Sequence, residues 1–552
     1  MPVINFKYSD LCTMLGEEVP QKTLVDRIPM IGADMHETEG ECDDMSVEFF
    51  PDRPDLYSVE GLARGMRAFL DIEPGMKKYD VEESSIEVTI DASVKSQRPY
   101  FLCGAVMDVD IDDQLLKSIM EMQEKLHITI GRKRSKLAIG IHDLDMVEPP
   151  FTYRLAEPHS VRFVPLAKEE EMDMEEVLTK HEKGVDYAHL LEGFDKYPVI
   201  QDKDGKVLSF PPIINGALTT VTTGKHNLFV DVTGMDRKAV KGALDIVCTA
   251  LAERGGRIMS VIMHDGDETF RSPDLTPGNM DISASECDKF LGLQLGPEGT
   301  VECLRRMGMD AVAEGDTVHV SYSPVRLDIM HKVDIFEDVG TGYGFERFGG
   351  AYHLDQTPGG LLPISTFTEN VRDIMIGLGY TEVCTLTLSS EKEEFELSGL
   401  PRVDNVRVLN PITEDHTCLR SYLMPSLIRI LKHNKHRDLP QKIFEVGYVV
   451  RDGKTQSRLC IMATASKTPF TEIKSITEGV LREINVEHGL DASDLPVFVD
   501  GRGADIIYEG EKIGFFGEMA PSVVVGYEIT HPIMFAEIDL EPIIANKRST
   551  LF

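Results

Sequence analysis

Ser323-Pro324-Val325-Arg326-Leu327-Asp328-Ile329-Met330-His331-Lys332-Val333-Asp334-Ile335-Phe336-Glu337-Asp338-Val339-Gly340-Thr341-Gly342-Tyr343-Gly344 is the stretch on which the reading of this chain turns. Asp334, Glu337 and Asp338 stand at i, i+3 and i+4, so a helix gathers their carboxylates on one face. Ile329, Val333 and Phe336 recur at i, i+4 and i+7 and supply the opposite, apolar face. Like charges at this spacing repel by roughly 0.2–0.5 kcal/mol per pair, and a divalent cation is one way to offset that. The donor set would be all oxygen, which suits Mg²⁺ or Ca²⁺ better than zinc. Asp328 lies off the face, in the turn entering the helix, where it caps the helix or reaches an ion from the side. The same spacing also describes a solvent-facing acidic helix with an aspartate cap, and on spacing alone that is the preferred reading.

Outward from this stretch, the 552 residues are enough for about three to four domains. With 42% hydrophobic and 27% charged residues the composition is that of a soluble globular protein. No apolar run approaches the ~18 residues of a membrane span, and Met1–Lys7 shows no basic region leading into an apolar core. The nine cysteines are scattered, with no Cys-x-x-Cys, which argues against zinc ribbons and disulfides and for a reducing, cytoplasmic setting. Net charge is −36, which repels nucleic acid at long range. A chain of this kind is not expected to bind DNA, and needs a partner's positive surface to act on tRNA.

Domain boundaries are expected at residues 1–82, 83–270, 271–350, a linker at 351–363, and 364–552. The first region holds Val47–Leu56 and then a helix over Tyr57–Leu70, with Asp55 and two prolines as the stop-and-cap signal. In the second, Ser85–Ile90 alternates like a strand and Leu115–Leu126 has helical period. Arg132, Lys133, Arg134 and Lys136 then precede a buried-looking strand, as a solvated loop or a tRNA contact. The third carries helices at Ser283–Gly292 and Pro297–Met309, arranged like a helix-turn-helix. Arg305 and Arg306 are opposed there by Glu298 and Glu302, so a structural pair is expected. The last region reads as helix, strand, helix, strand over Phe367–Leu378, Glu382–Leu388, Ser421–Lys432 and Gln441–Val450. His433 and His436 there belong to a basic helix end rather than to a metal pair.

The run Arg-x-Asp-x5-Asp-x2-Glu-Asp, followed closely by Gly-Tyr-Gly, resembles the B5 domain of the phenylalanyl-tRNA synthetase β-subunit family. That resemblance implies Asp328, Asp334, Glu337 and Asp338 as magnesium ligands. Asp52-Arg53-Pro54-Asp55 resembles the family's Asn-Arg-Pro-Asp segment with Asp52 in place of Asn, and is given no catalytic role. Leu208–Asn215 and Asn227–Gly234 resemble the B3/B4 editing domain in its shorter archaeal–eukaryotic form. The resemblance implies that Ser209, Asn215, Asp231 and Thr233 line an editing pocket. Tyrosine exceeds phenylalanine by one hydroxyl, and an apolar pocket rejects such an isostere only about 10²-fold, so a second, hydrolytic site has a use. No Ser–His–Asp or Cys–His arrangement is legible, so a positioned water without a covalent intermediate is expected.

Residues 364–552 resemble an antiparallel class II synthetase domain stripped of its chemistry. Ile443-Phe444-Glu445 lacks the motif 2 arginine, and no arginine follows Lys512–Met519 until Arg548, whereas ATP phosphates need guanidinium groups. The fold expected is thus multidomain α+β and α/β: an N-terminal α+β domain, a B3/B4 domain, a B5 domain with helix-turn-helix-like helices, and a silent catalytic-like domain. The resemblance implies an α partner in an (αβ)₂ heterotetramer that binds ATP and makes Phe-tRNA(Phe), with tRNA(Phe) shared and Mg²⁺ held by this chain. It leaves no room for the OB-fold and anticodon-binding domains of longer bacterial β chains. A stand-alone trans-editing hydrolase and a non-catalytic nucleic-acid-binding adaptor are the rival readings.

Overall fold

Between Val81 and Ser272, strand-forming runs join into one ten-stranded mixed sheet. From one edge its strands are Ile214–Asn215, Val207–Phe210, Tyr197–Gln201, Phe151–Ala156, Val81–Ile90, Arg257–Asp265, Tyr100–Ile111, Gly224–Gly234 and Leu137–Asp143, with Glu268–Ser272 hairpinned onto Arg257–Asp265. Val81–Ile90 runs parallel to both neighbours, and the other pairings are antiparallel. The computed structural model describes residues 2–35, 42–350 and 358–550, in two compact units, Met1–Ala351 and Tyr352–Phe552.

Helix Arg237–Glu253 is buried on nearly every side from Ala239 to Leu251, and its apolar residues fuse the sheet's core with that of the N-terminal segment. Within that segment, helix Val59–Phe69 is capped by Ser58, whose hydroxyl accepts from the Gly61 N–H. Asp55, expected as the cap, instead sits buried in the Pro54–Leu56 turn and takes two hydrogen bonds from Arg53. A carboxylate beside a guanidinium gains more from that ion pair than from one backbone donor.

The rest of the first unit is a three-stranded sheet, Gly278–Ser283, Thr317–Tyr322 and Asp310–Glu314, carrying helices Ala284–Leu291, Gly296–Arg306 and Lys332–Tyr343. Lys332–Tyr343 crosses Gly296–Arg306 so closely that a Cβ on Gly342 would stand 2.3 Å from the Cys303 carbonyl oxygen. Gly342 is therefore a helix-packing residue, while Gly344 ends the helix at φ +102°. Arg306 is spent inside the unit on the Gly342 and Phe69 carbonyls, while Arg305 is exposed.

In the second unit a seven-stranded sheet runs Thr381–Glu382, Gln441–Arg451, Lys454–Thr464, Ile533–Asp539, Glu511–Met519, Phe498–Tyr508, Gly489–Ala492. All its pairings are antiparallel except that of Thr381–Glu382. The single strand expected over Glu382–Leu388 is two pieces, Thr381–Glu382 and Leu388–Ser389, because Cys384 and Leu386 face solvent between them. Of the linker expected at 351–363, residues 351–357 lie outside the described ones. Helix Pro363–Gly377 begins at its far end, and His433 closes helix Met424–His433 with Nδ1 on the Arg429 carbonyl.

Candidate functional site

A cavity of about 220 Å³ lies where the edge strand Leu137–Asp143 meets helix Asp113–Ile128 and the loop after Phe210. Ser209, Asn215, Asp231 and Thr233 all line it. Asp231 and Thr233 alternate on strand Gly224–Gly234 and so face the same way, while Ser209 and Asn215 pair across a short hairpin. The helix closes the exposed sheet edge with polar side chains. Gln123 donates to the Ile139 carbonyl at 2.7 Å and His127 Nε2 accepts the Ile139 N–H at 2.8 Å. Burial pulls His127 down to about 4, so at neutral pH it is an uncharged edge cap. Thr233 Oγ1 accepts from the buried Arg98 Nε at 2.8 Å, which leaves its O–H proton to be donated. Burial brings Arg98 down to about 10, still cationic at neutral pH.

Two residues were not signalled by the sequence, Thr219 on the cavity wall and His142 behind it. His142 is fully buried, with Nε2 at 2.6 Å from Asp231 Oδ2 and Nδ1 at 2.7 Å from Thr219 Oγ1. The sheet register explains the contact. Asp231 stands opposite Gly140, and His142, two residues along the same face, leans over the glycine to reach it. A Cβ on Gly140 would lie 2.1 Å from Asp231 Oδ2 and 2.6 Å from His142 Nε2. The Thr–His–Asp order that no linear motif displayed is thus present in space. It differs from a nucleophilic triad in that its aspartate itself lines the cavity.

The acidic helix is Lys332–Tyr343, and His331 caps it, not Asp328. Asp334 Oδ2 reaches back to accept the Met330 and His331 N–H groups, each at 2.7 Å. Asp328 takes Arg326 Nε at 2.9 Å and Nη2 at 2.6 Å, and Asp338 takes the same Nη2 at 2.7 Å. Glu337 is exposed at the outer side of the helix, and its partial desolvation together with the carboxylates of Asp338, Asp52, Asp334 and Asp328 pushes its pKa up. Asp52 thus brings the N-terminal segment to the cluster. Asp55, which burial alone would raise, is held down to about 2 by Arg53. Among the described residues, Asp143, Asp145 and His226 form a group whose ligand atoms lie within 4.8 Å of one another. His226 there pairs with Asp143 at 3.0 Å and Asp145 accepts from Asn227, so these groups are already partnered.

Residues 280–345 match the model of the tRNA synthetase B5 domain, and 352–540 match that of the phenylalanyl tRNA synthetase beta chain CLM domain. The phenylalanine–tRNA ligase beta subunit of Methanococcoides burtonii is 44% identical over 98% of this chain and 100% of its own. That of Archaeoglobus fulgidus is 41% identical over 98% of each. The chain belongs to the phenylalanine–tRNA ligase beta-subunit family. A solved N-terminal fragment of the beta subunit from Pyrococcus horikoshii is similar to this family member at 37% identity and a TM-score of 0.60, over 62% of this chain and 99% of the fragment.

In this beta-subunit chain the second unit turns its buried charges on one another. Arg420 donates to Glu445 at 2.8 Å, to Thr385 Oγ1 and to the Tyr448 carbonyl, and Arg458 donates to Glu537. Glu537 also accepts the Leu423 and Met424 N–H groups, and Glu394 those of Ser421 and Tyr422. Arg420 and Arg458 are thus committed to internal acceptors, as carboxylate-bound guanidinia in a closed interior. Among the described residues, no helix is long and apolar enough to cross a membrane.

Proposed function

We propose that this chain is the non-adenylating subunit of a phenylalanine–tRNA ligase. With an alpha subunit, as an (αβ)₂ heterotetramer, it makes Phe-tRNA(Phe) from phenylalanine, ATP and tRNA(Phe), and it removes tyrosine from mischarged tRNA(Phe) in the cavity beside Asp231. The convergence of Ser209, Asn215, Asp231 and Thr233 on one cavity carries the editing half of this reading. Water attacks the ester carbonyl of Tyr-tRNA(Phe) and Asp231 takes its proton. The bond to the ribose oxygen breaks and that proton passes to the leaving hydroxyl. Ser209, Asn215 and Thr233 supply hydrogen bonds to the phenol and the amino acid, and the apolar helix side of the cavity holds the ring.

ATP belongs on the alpha subunit, since Arg420 and Arg458 here are committed to carboxylates. By the family resemblance Mg²⁺ belongs with Glu337, Asp334, Asp328 and Asp338, although Arg326 and two backbone N–H groups already occupy three of these acids. Among the described residues, it is Asp143, Asp145 and His226 whose ligand atoms gather within 4.8 Å. The four acids are all oxygen donors, and acids outnumber guanidinia around Glu337. When bound, the ion neutralises that face of the helix. The setting is cytoplasmic.

ATP–pyrophosphate exchange and Tyr-tRNA(Phe) hydrolysis, with and without the alpha subunit, test the whole. Exchange is expected only with alpha, and Asp231→Ala should lower hydrolysis by about 10²-fold or more while exchange is kept. Phenylalanine activation by this chain alone, or undiminished deacylation by the variant, overturns the corresponding half.

A further inference from the structure

His142 does not line the cavity, yet both of its ring nitrogens are engaged by residues that do, Asp231 and Thr219. All three side chains are at least nine-tenths buried. Nε2 faces a carboxylate oxygen and so donates to it in either protonation state. Nδ1 then accepts the Thr219 O–H, or donates to its oxygen if the ring is charged. The ring cannot flip or rotate without losing both bonds. Thr219 comes from the short turn Ala217–Thr219 and Asp231 from strand Gly224–Gly234, so the imidazole ties a loop wall of the cavity to a strand wall. The space it uses exists only because Gly140 stands opposite Asp231.

We infer that His142 is a positioning residue for ester hydrolysis: it clamps Asp231 Oδ2 so that Oδ1 is the oxygen turned to the attacking water, and it fixes the Thr219 wall at the matching distance. The inference rests on the editing reading of the cavity. An unclamped carboxylate rotates freely about its last bond and samples orientations that miss the water. A displacement of about 1 Å at such a group costs about 10²-fold in rate.

Asparagine and glutamine separate the two contacts. The Asn amide falls near Nδ1 and reaches only Thr219. The Gln amide falls near Nε2 and restores a donor to Asp231. In the complex with the alpha subunit, His142→Asn is expected to lower kcat for Tyr-tRNA(Phe) hydrolysis by about 10²-fold with KM within about twofold of wild type. His142→Gln is expected to stay within about tenfold of wild type. Melting temperature reports the fold of each variant. A folded Asn variant with wild-type kcat overturns the inference. So does a folded Gln variant that loses as much as Asp231→Asn, which also serves if the Asn variant does not fold. Wild-type deacylation abolished by Asp231→Asn but untouched at His142 removes the clamp and leaves the editing reading standing. A wild-type complex that spares Tyr-tRNA(Phe) removes both.

Discussion

The two large sheets of this chain bury carboxylates to opposite ends. In the ten-stranded sheet Asp231 is almost fully buried yet borders a cavity, held from behind by one imidazole. In the seven-stranded sheet Glu445 and Glu537 are buried against Arg420 and Arg458, in a closed interior. Burying a charge is costly in either place. The first sheet leaves its acid at the border of a cavity, and the second cancels its acids internally. A fold built on an antiparallel sheet says little about chemistry until one asks what its buried charges face.

That contrast breaks most visibly at Arg420. Arg420→Met strands Glu445 in the interior and should cost about 3–5 kcal/mol in urea denaturation, with much of it recovered by adding Glu445→Leu. A loss under about 1 kcal/mol would mean the second sheet is not internally compensated.

A second test uses Glu394, which burial pushes up to about 7 although the Ser421 N–H favours its charged form. A carboxyl that binds its proton more tightly when folded adds stability that is complete below about pH 4.5 and is lost as pH rises through about 7. Glu394→Gln should therefore remove about 3 kcal/mol of pH dependence across that window, read as denaturation midpoint against pH. The dependence shrinks but persists, because burial also lifts Asp245 in the first unit to about 7. An unchanged slope would show that Glu394 is ionised in the fold.

The smallest effect is expected where the first unit leaves acids in excess. Mg²⁺ at about ten times its dissociation constant should stabilise the protein by about 1.4 kcal/mol, and Glu337→Gln should abolish that gain over EDTA-treated protein. Equal melting temperatures with and without Mg²⁺ in the wild type would make the acidic helix a solvated one.

The legible part of this architecture is the periodic part. Helix Lys332–Tyr343 followed from Val333 and Phe336, and the amphipathic pattern at Leu115–Leu126 lies within helix Asp113–Ile128. What spacing does not encode is where a side chain at an element's end points. Asp55 and Asp328 both looked like caps, and both turn instead to an arginine two residues before them. His142 was hidden for another reason. It sits in a strand buried from end to end, and its partner Asp231, 89 positions away, is found only through the register of two strands. Ser209, Asn215, Asp231 and Thr233 were reachable through family resemblance, since strand-end polar residues taken alone read as turn formers.

Gly140 has a consequence for activity as well as geometry. A single added methyl there would collide with both members of the Asp231–His142 pair while leaving the second unit untouched. On the editing reading, Gly140→Ala should weaken Tyr-tRNA(Phe) hydrolysis while phenylalanine activation by the alpha subunit is kept.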